Sequence, residues 1–230
     1  KEYFLDGTEK FIPVGEYAFR IQGKEILIGK GEKYEVKKIP VADKEQNKVF
    51  TKTTFELKDN LLKGHVKVTL TGNERTGFHQ FYHDLPTERK NQILQRFMQF
   101  GNQNLIVNNI KTSDLSNREI PVTIEGDIDL SNYVISDNKD IYMGLDFFPE
   151  TLNDYMPGKN RQRDYEIRSN YVSENETELV LPAGYKVISV PETLNEKFAD
   201  YGVTASYSTK GNKINFKKSM YFANNRIRKD

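Results

Sequence analysis

The stretch from Val49 to Thr71 restricts the fold more than any other part of the chain. Val49, Thr51, Thr53, Phe55 and Leu57 recur at period two, and Lys58-Asp59-Asn60 supplies turn chemistry. Val66, Val68 and Leu70 repeat the pattern on the return, with His65, Lys67, Thr69 and Thr71 on the alternate positions. Successive side chains of a strand point to opposite faces, so each run can bury one face and wet the other. The pair predicts an antiparallel hairpin with one solvated side.

Extended character continues through most of the chain. Residues 14–28 read as two short pieces broken near Gly23, and residues 32–41 as another. Ile120, Val122 and Ile124 alternate, Ile128 and Leu130 follow a break at Gly126, and residues 133–135 and 141–148 are further candidates. A C-terminal meander is expected from residues 178–181, 185–190, 203–209 and 213–222, separated by Pro182-Ala183-Gly184, Pro191 and Lys210-Gly211-Asn212. One helix is predicted over residues 86–100. Asp84 or Thr87 can cap it, Pro86 suits its first turn and Gly101 its C′ position. Ile93, Leu94, Phe97 and Met98 form its apolar stripe. The expected fold is mostly β: an antiparallel β-sandwich with one covering helix and a smaller C-terminal β unit, the connection lying in residues 149–162.

Charge and composition narrow the function classes. The 34 Lys and Arg nearly balance 33 Asp and Glu, so no global basic field gathers nucleic acid. No apolar run approaches the ~20 residues of a membrane helix, and no membrane span is expected. With 0 Cys, the chain has no disulfide, thiolate metal site or Cys nucleophile. The 13 Tyr and 14 Phe suit a thin, ring-rich core between packed layers.

Three stretches carry a family resemblance. Phe4-Leu5-Asp6-Gly7-Thr8 with Ile21-Gln22-Gly23-Lys24-Glu25-Ile26-Leu27-Ile28 is similar to an "LDxT…QGKxxLL" passage, and Arg163-Asp164-Tyr165-Glu166-Ile167 to an "RxYPI" strand start with Glu166 in place of Pro. Leu181-Pro182-Ala183-Gly184-Tyr185-Lys186-Val187-Ile188-Ser189-Val190-Pro191 is similar to "LPxGYxVxxLP". Together they resemble the C-terminal β region of exported transglutaminase-like proteins of Bacteroidetes-type bacteria. Those proteins carry DUF3857 before the catalytic core and DUF3858 after it. The resemblance implies a trailing segment of the core in residues 1–30 and a β-sandwich with one helix in residues 31–150. It implies a DUF3858-like unit in residues 163–230 that can join the preceding domain in one structure. It further implies a larger parent in the periplasm or cell envelope, with an upstream catalytic domain as partner. Asp6 resembles the third member of that core's Cys-His-Asp arrangement, the remnant of a site completed elsewhere. The local reading of Asp6 is a cap on the turn it makes with Gly7 and Thr8.

Other constellations are expected to be structural. His79 and His83 stand four apart with Glu88 near, but no third metal ligand is fixed by spacing, and no metal or cofactor is expected. His65 is read as solvent-facing. Asp127 with Asp129, Asp137 with Asp140, and Glu174 with Glu176 and Glu178 are acidic pairs; Asp127 and Asp129 share a face beside Gly126 and read as a wet strand edge. Lys159, Arg161, Arg163 and Arg168 read as a solvated linker, with Arg163 folding back onto a neighbour. Tyr133, Tyr142, Phe147, Phe148, Tyr165 and Tyr185 read as core or interface rings. The expected function is a non-catalytic accessory region that positions a catalytic core or docks a partner. A glycan- or peptide-binding module is the alternative, and a parent Cys-dependent transglutaminase, amidase or protease a third.

Overall fold

The computed structural model describes residues 4, 6–58, 60–147, 160–167 and 169–229. An N-terminal segment leads into the hairpin β1 (Glu25–Lys30) and β2 (Lys33–Lys38), then β3 (Lys48–Lys58) and β4 (Leu61–Leu70). Helices α1 (Gly72–His83) and α2 (Thr87–Gln99) follow, then β5 (Leu105–Thr112), β6 (Val122–Leu130), and the short hairpin β7 (Ile135–Asp137) and β8 (Asp140–Tyr142). The chain ends with β9 (Tyr165–Glu166), β10 (Tyr171–Val180), β11 (Leu194–Lys197), β12 (Tyr201–Lys210), β13 (Lys213–Phe222) and β14 (Arg226–Ile227).

The expected mostly β class holds. One eight-stranded sheet runs in the order β11-β12-β13-β10-β3-β4-β6-β5, and β1–β2, β7–β8 and β9–β14 form small separate sheets. The predicted hairpin is β3–β4, with Val49 opposite Leu70, Thr53 opposite Val66 and Leu57 opposite Leu62. Its inner face continues through Val122, Ile124 and Ile128 of β6 and Leu105 and Val107 of β5, all buried. α2 covers this face with Leu94 and Met98. Phe147 covers its middle, with ring centroids 4.4 Å from Phe55 and 4.8 Å from Tyr133. The opposite face is wet and charged. Lys67–Glu125, His65–Asp127 and Lys63–Asp129 are directly opposed across β4 and β6, and Lys48–Glu174 and Lys213–Glu178 extend the pattern over β10. Such exposed pairs each contribute only ~0.2–1 kcal/mol and chiefly fix which face meets water.

Several expectations are corrected. Two helices cover the sheet, not one. α1 lacks an apolar stripe because its buried positions include Gly72, Arg75, Thr76 and His79, with Arg75 paired to Glu16 and His79 stacked on Phe11. The sheet is not wholly antiparallel: β3 and β10 pair in parallel from Lys48↔Val172 to Glu56↔Val180. β6 runs unbroken through Gly126, whose missing side chain permits close approach to β5; a Cβ there would stand 3.0 Å from the Asn108 carbonyl oxygen. Residues 185–190 form no strand. Both edges of β13 are taken by β10 and β12, and β11 takes the far edge of β12, leaving that proline-bracketed run unpaired. Phe148, most of the expected 149–162 connection, Lys159 and Arg168 lie outside the described residues.

The β3, β10 and α1 starts converge on Asn47, which is 2% exposed. Its Nδ2 donates to the Asn170 carbonyl at 2.9 Å, and its Oδ1 accepts from the Asn73 backbone N–H at 2.9 Å in the first turn of α1. Its carbonyl accepts from the Val172 N–H at 3.0 Å. Gly72 is the residue that lets α1 begin there. Its φ is +54°, and a Cβ would lie 2.2 Å from Asn47 Oδ1 and 2.3 Å from the Gln46 carbonyl oxygen. Gly77, inside the same helix, has nothing within 4 Å of its Cβ position. Gly72→Ala is therefore expected to destabilise the chain by about 2–4 kcal/mol. Gly77→Ala should stabilise it by about 0.5–1 kcal/mol. Urea unfolding of the two variants checks both signs.

Candidate functional site

The inner face of the sheet changes character at the parallel junction. Thr51 and Thr53 of β3 and Ser173, Asn175 and Thr177 of β10 are each buried to more than 90% there, with Asn175 paired to Thr51 and Thr177 to Thr53 in register. Leu179 and Phe55 close this polar seam and return the face to the apolar core. Thr53 Oγ1 is buried with no hydrogen-bond partner. Among the described residues, the side chains of Thr51 and Asn175 make no hydrogen bond either. Of the described seam atoms, Thr53 Oγ1 is the one fully buried without a partner, and such a group costs about 1–3 kcal/mol.

One end of the seam lines a cavity of ≈ 750 Å³, while Thr53 and Thr177 stand outside its described lining. Thr51, Ser173 and Asn175 form part of its floor, and Phe78, Phe97 and Phe100 part of its wall. Phe81, 53% exposed, stands at the rim. Asn73 and Gln80 add amides from α1, and the Asn73 Nδ2 is a second buried donor without a partner. The N-terminal segment closes one side with Ile12, Ala18 and Phe19. The only charged residues on the described lining are the carboxylates Glu9 and Glu74.

The N-terminal segment is strapped across α1 to hold that side. Arg75 is 4% exposed and donates from Nη2 to both Glu16 carboxylate oxygens, at 2.6 and 2.7 Å. Phe11 stacks on His79 at 6.2 Å between ring centroids and tilts against His83 at 5.1 Å. Burial, and then the neighbouring Arg75 charge, hold the His79 imidazole below its ordinary pKa. A second cavity of ≈ 720 Å³ lies where residues 185–191 pass over Ile141, Leu179, Tyr207 and Ile214. Beside it, Lys218 Nζ donates to both Asp146 oxygens at 2.8 Å. Burial, and then the Asp146 charge, push the Tyr133 and Tyr207 phenols up.

The residues singled out from sequence scatter. Asp6 caps its turn: Oδ1 accepts from the Thr8 N–H at 3.1 Å and the Thr8 hydroxyl at 2.7 Å, and Oδ2 pairs with Arg20. The Arg20 contact first, and then Thr8, hold its carboxyl down to about 2. His79 is buried while His83 is exposed, and among the described residues no group of three or more His, Asp or Glu could hold a metal. His65 is solvent-facing and meets Asp127 at 3.0 Å, with Asn109 Nδ2 on the other Asp127 oxygen at 2.8 Å. Asp127 and Asp129 lie on the wet face of an internal strand, not on an edge, because β5 pairs beyond β6. Arg161 bonds the Ile227 carbonyl oxygen at 2.8 Å, a fold-back in the basic stretch made by Arg161. Tyr142 and Tyr185 are 56% and 46% exposed, unlike the half-buried Tyr133. Sequence reasoning placed Thr51 and Thr53 on the inward face but missed Asn175, because its strand β10 lies 124 residues downstream of its partner β3 in register.

With this geometry in view, the C-terminal part can be assigned. Residues 139–230 match DUF3858, described as a domain of unknown function with a solved structure. The DUF3858 stretch supplies β10 to β13, and through β10 both the parallel junction and half the polar seam. No curated protein and no solved structure matches the chain.

The His79 environment has a pH consequence. Its folded pKa is depressed, so as pH falls below the ordinary imidazole value of ~6.5 the unfolded chain takes up the proton first. Its contribution is fully present above that range and is lost as pH falls toward the folded value. Urea unfolding between pH 7.5 and 5 is expected to show this acid-side decline, and His79→Gln to flatten it.

Proposed function

We propose that the chain is a non-catalytic accessory β region of a larger transglutaminase-like protein of the bacterial cell envelope, and that it positions the upstream catalytic domain. The observation that carries this reading is the outer face of the β1–β2 hairpin. Leu27 and Val36 are paired across it, Tyr34 lies one layer on, and the three are 70%, 53% and 71% exposed. A two-stranded hairpin is marginal alone, and a clustered apolar face in water marks a surface that another body covers. The hairpin lies downstream of the Asp6 turn, beyond residues 9–24, and that turn belongs to the segment whose motif resembles the end of a transglutaminase-like core. The DUF3858 match of residues 139–230 and the 0 Cys of the chain support the same reading. A catalytic thiol would then belong to the upstream domain, and Asp6 would stand at the seam between the two.

Hydrogen exchange tests this directly. Peptides spanning residues 25–38 are expected to exchange more slowly in the parent protein than in this chain. Equal exchange in both would contradict the docking role. Amine-incorporation and peptide-hydrolysis assays of this chain are expected to be silent, and turnover would overturn the non-catalytic assignment.

A further inference from the structure

We infer that the cavity between α1, the N-terminal strap and the β3–β10 seam is a binding site for an uncharged saccharide of one or two rings. The inference is independent of the accessory role proposed above. Its starting point is Asn175, which is 7% exposed, lines the cavity and has no hydrogen-bond partner among the described residues. A carboxamide offers two donors and two acceptor sites, and this one belongs to the cavity lining. Thr51 beside it is in the same position, and Asn73 Nδ2 adds an unpartnered donor from the wall. Hydroxyl and amide groups that both donate and accept are the complement of a ring bearing several hydroxyls.

The rest of the lining fixes the class. Phe78, Phe81 and Phe97 add apolar ring surface to the same lining. A pyranose has the same division, with hydroxyls around its edge and C–H groups on its face. The charged residues of the described lining are Glu9, itself paired with Arg20 at 3.3 Å, and Glu74, a balance that suits a neutral ligand better than an anionic one. A peptide fits less well. Its backbone would seek a strand edge, and the floor is the face of paired strands whose ladder groups bond one another. The volume of ≈ 750 Å³ falls within the range of small-molecule sites.

Binding can be read by NMR shift perturbation and calorimetry on the full chain. The probes are cellobiose, maltose and chitobiose, with glucuronate as the anionic control and an end-capped Ala-Phe-Ala as the neutral peptide. At least one neutral disaccharide is expected to bind with Kd at or below about 1 mM and to shift the Asn175 side-chain amide. Asn175→Ala should weaken it by about tenfold or more, and Thr51→Val should weaken it too, providing a second variant should the first fold poorly. Asn175→Leu should lose binding, because it removes the carboxamide that the ligand would meet. The inference is overturned if no saccharide binds, if both weakening variants bind like the unsubstituted chain, if only the peptide or glucuronate binds, or if Asn175→Leu retains binding.

Discussion

Asn47 is the contact on which the architecture turns. One buried carboxamide bonds the segment that opens β10, through Asn170, and the first turn of α1, through the Asn73 N–H. The same residue's carbonyl takes the Val172 N–H, the first ladder position of β10 beside β3. Three elements far apart in sequence therefore share an origin. Strands that pair in parallel cannot be joined by a tight turn, so their register must be set by something other than a loop. Here the side chain of Asn47, itself placed by the short helical turn before β3, sets it.

From that junction the functional features follow. Parallel pairing of β3 with β10 brings Thr51 beside Asn175 and Thr53 beside Thr177, which makes a polar floor in an otherwise apolar layer. α1 begins at the same point and rises over that floor, so the helix becomes the cavity wall. The Glu16–Arg75 pair and the Phe11–His79 stack then fasten the N-terminal segment across the helix. The DUF3858 stretch is thus built into the sheet through β10, which pairs with β3 from Lys48 to Glu56.

The local half of this structure was legible in the sequence. Alternation in β3 and β4 specified strands, partner and buried face, and the Ile93, Leu94, Phe97 and Met98 stripe specified α2. Pairings over long separations were not legible, because alternation tells which face is buried and not which strand lies alongside. α1 was hidden for a related reason: its buried positions include Arg75, Thr76 and His79, whose partners come from other segments. Residues 185–190 misled in the opposite direction. Their composition is strand-like, but β10, β12 and β11 already take the edges of β13 and the far edge of β12. The cavity combines these cases, since its floor needs the parallel pairing and its wall needs α1.

The central claim is that one junction holds the N-terminal strands and the DUF3858 strands in a single cooperative sheet. Native-state hydrogen exchange of β3, β4, β10 and β13, in the parent chain and in Asn47→Ala, tests it most directly. The account predicts that amides of all four strands share one opening free energy and that the substitution lowers it equally in all of them. Loss of protection in β10 and β13 alone, with β3 and β4 unchanged, would contradict it.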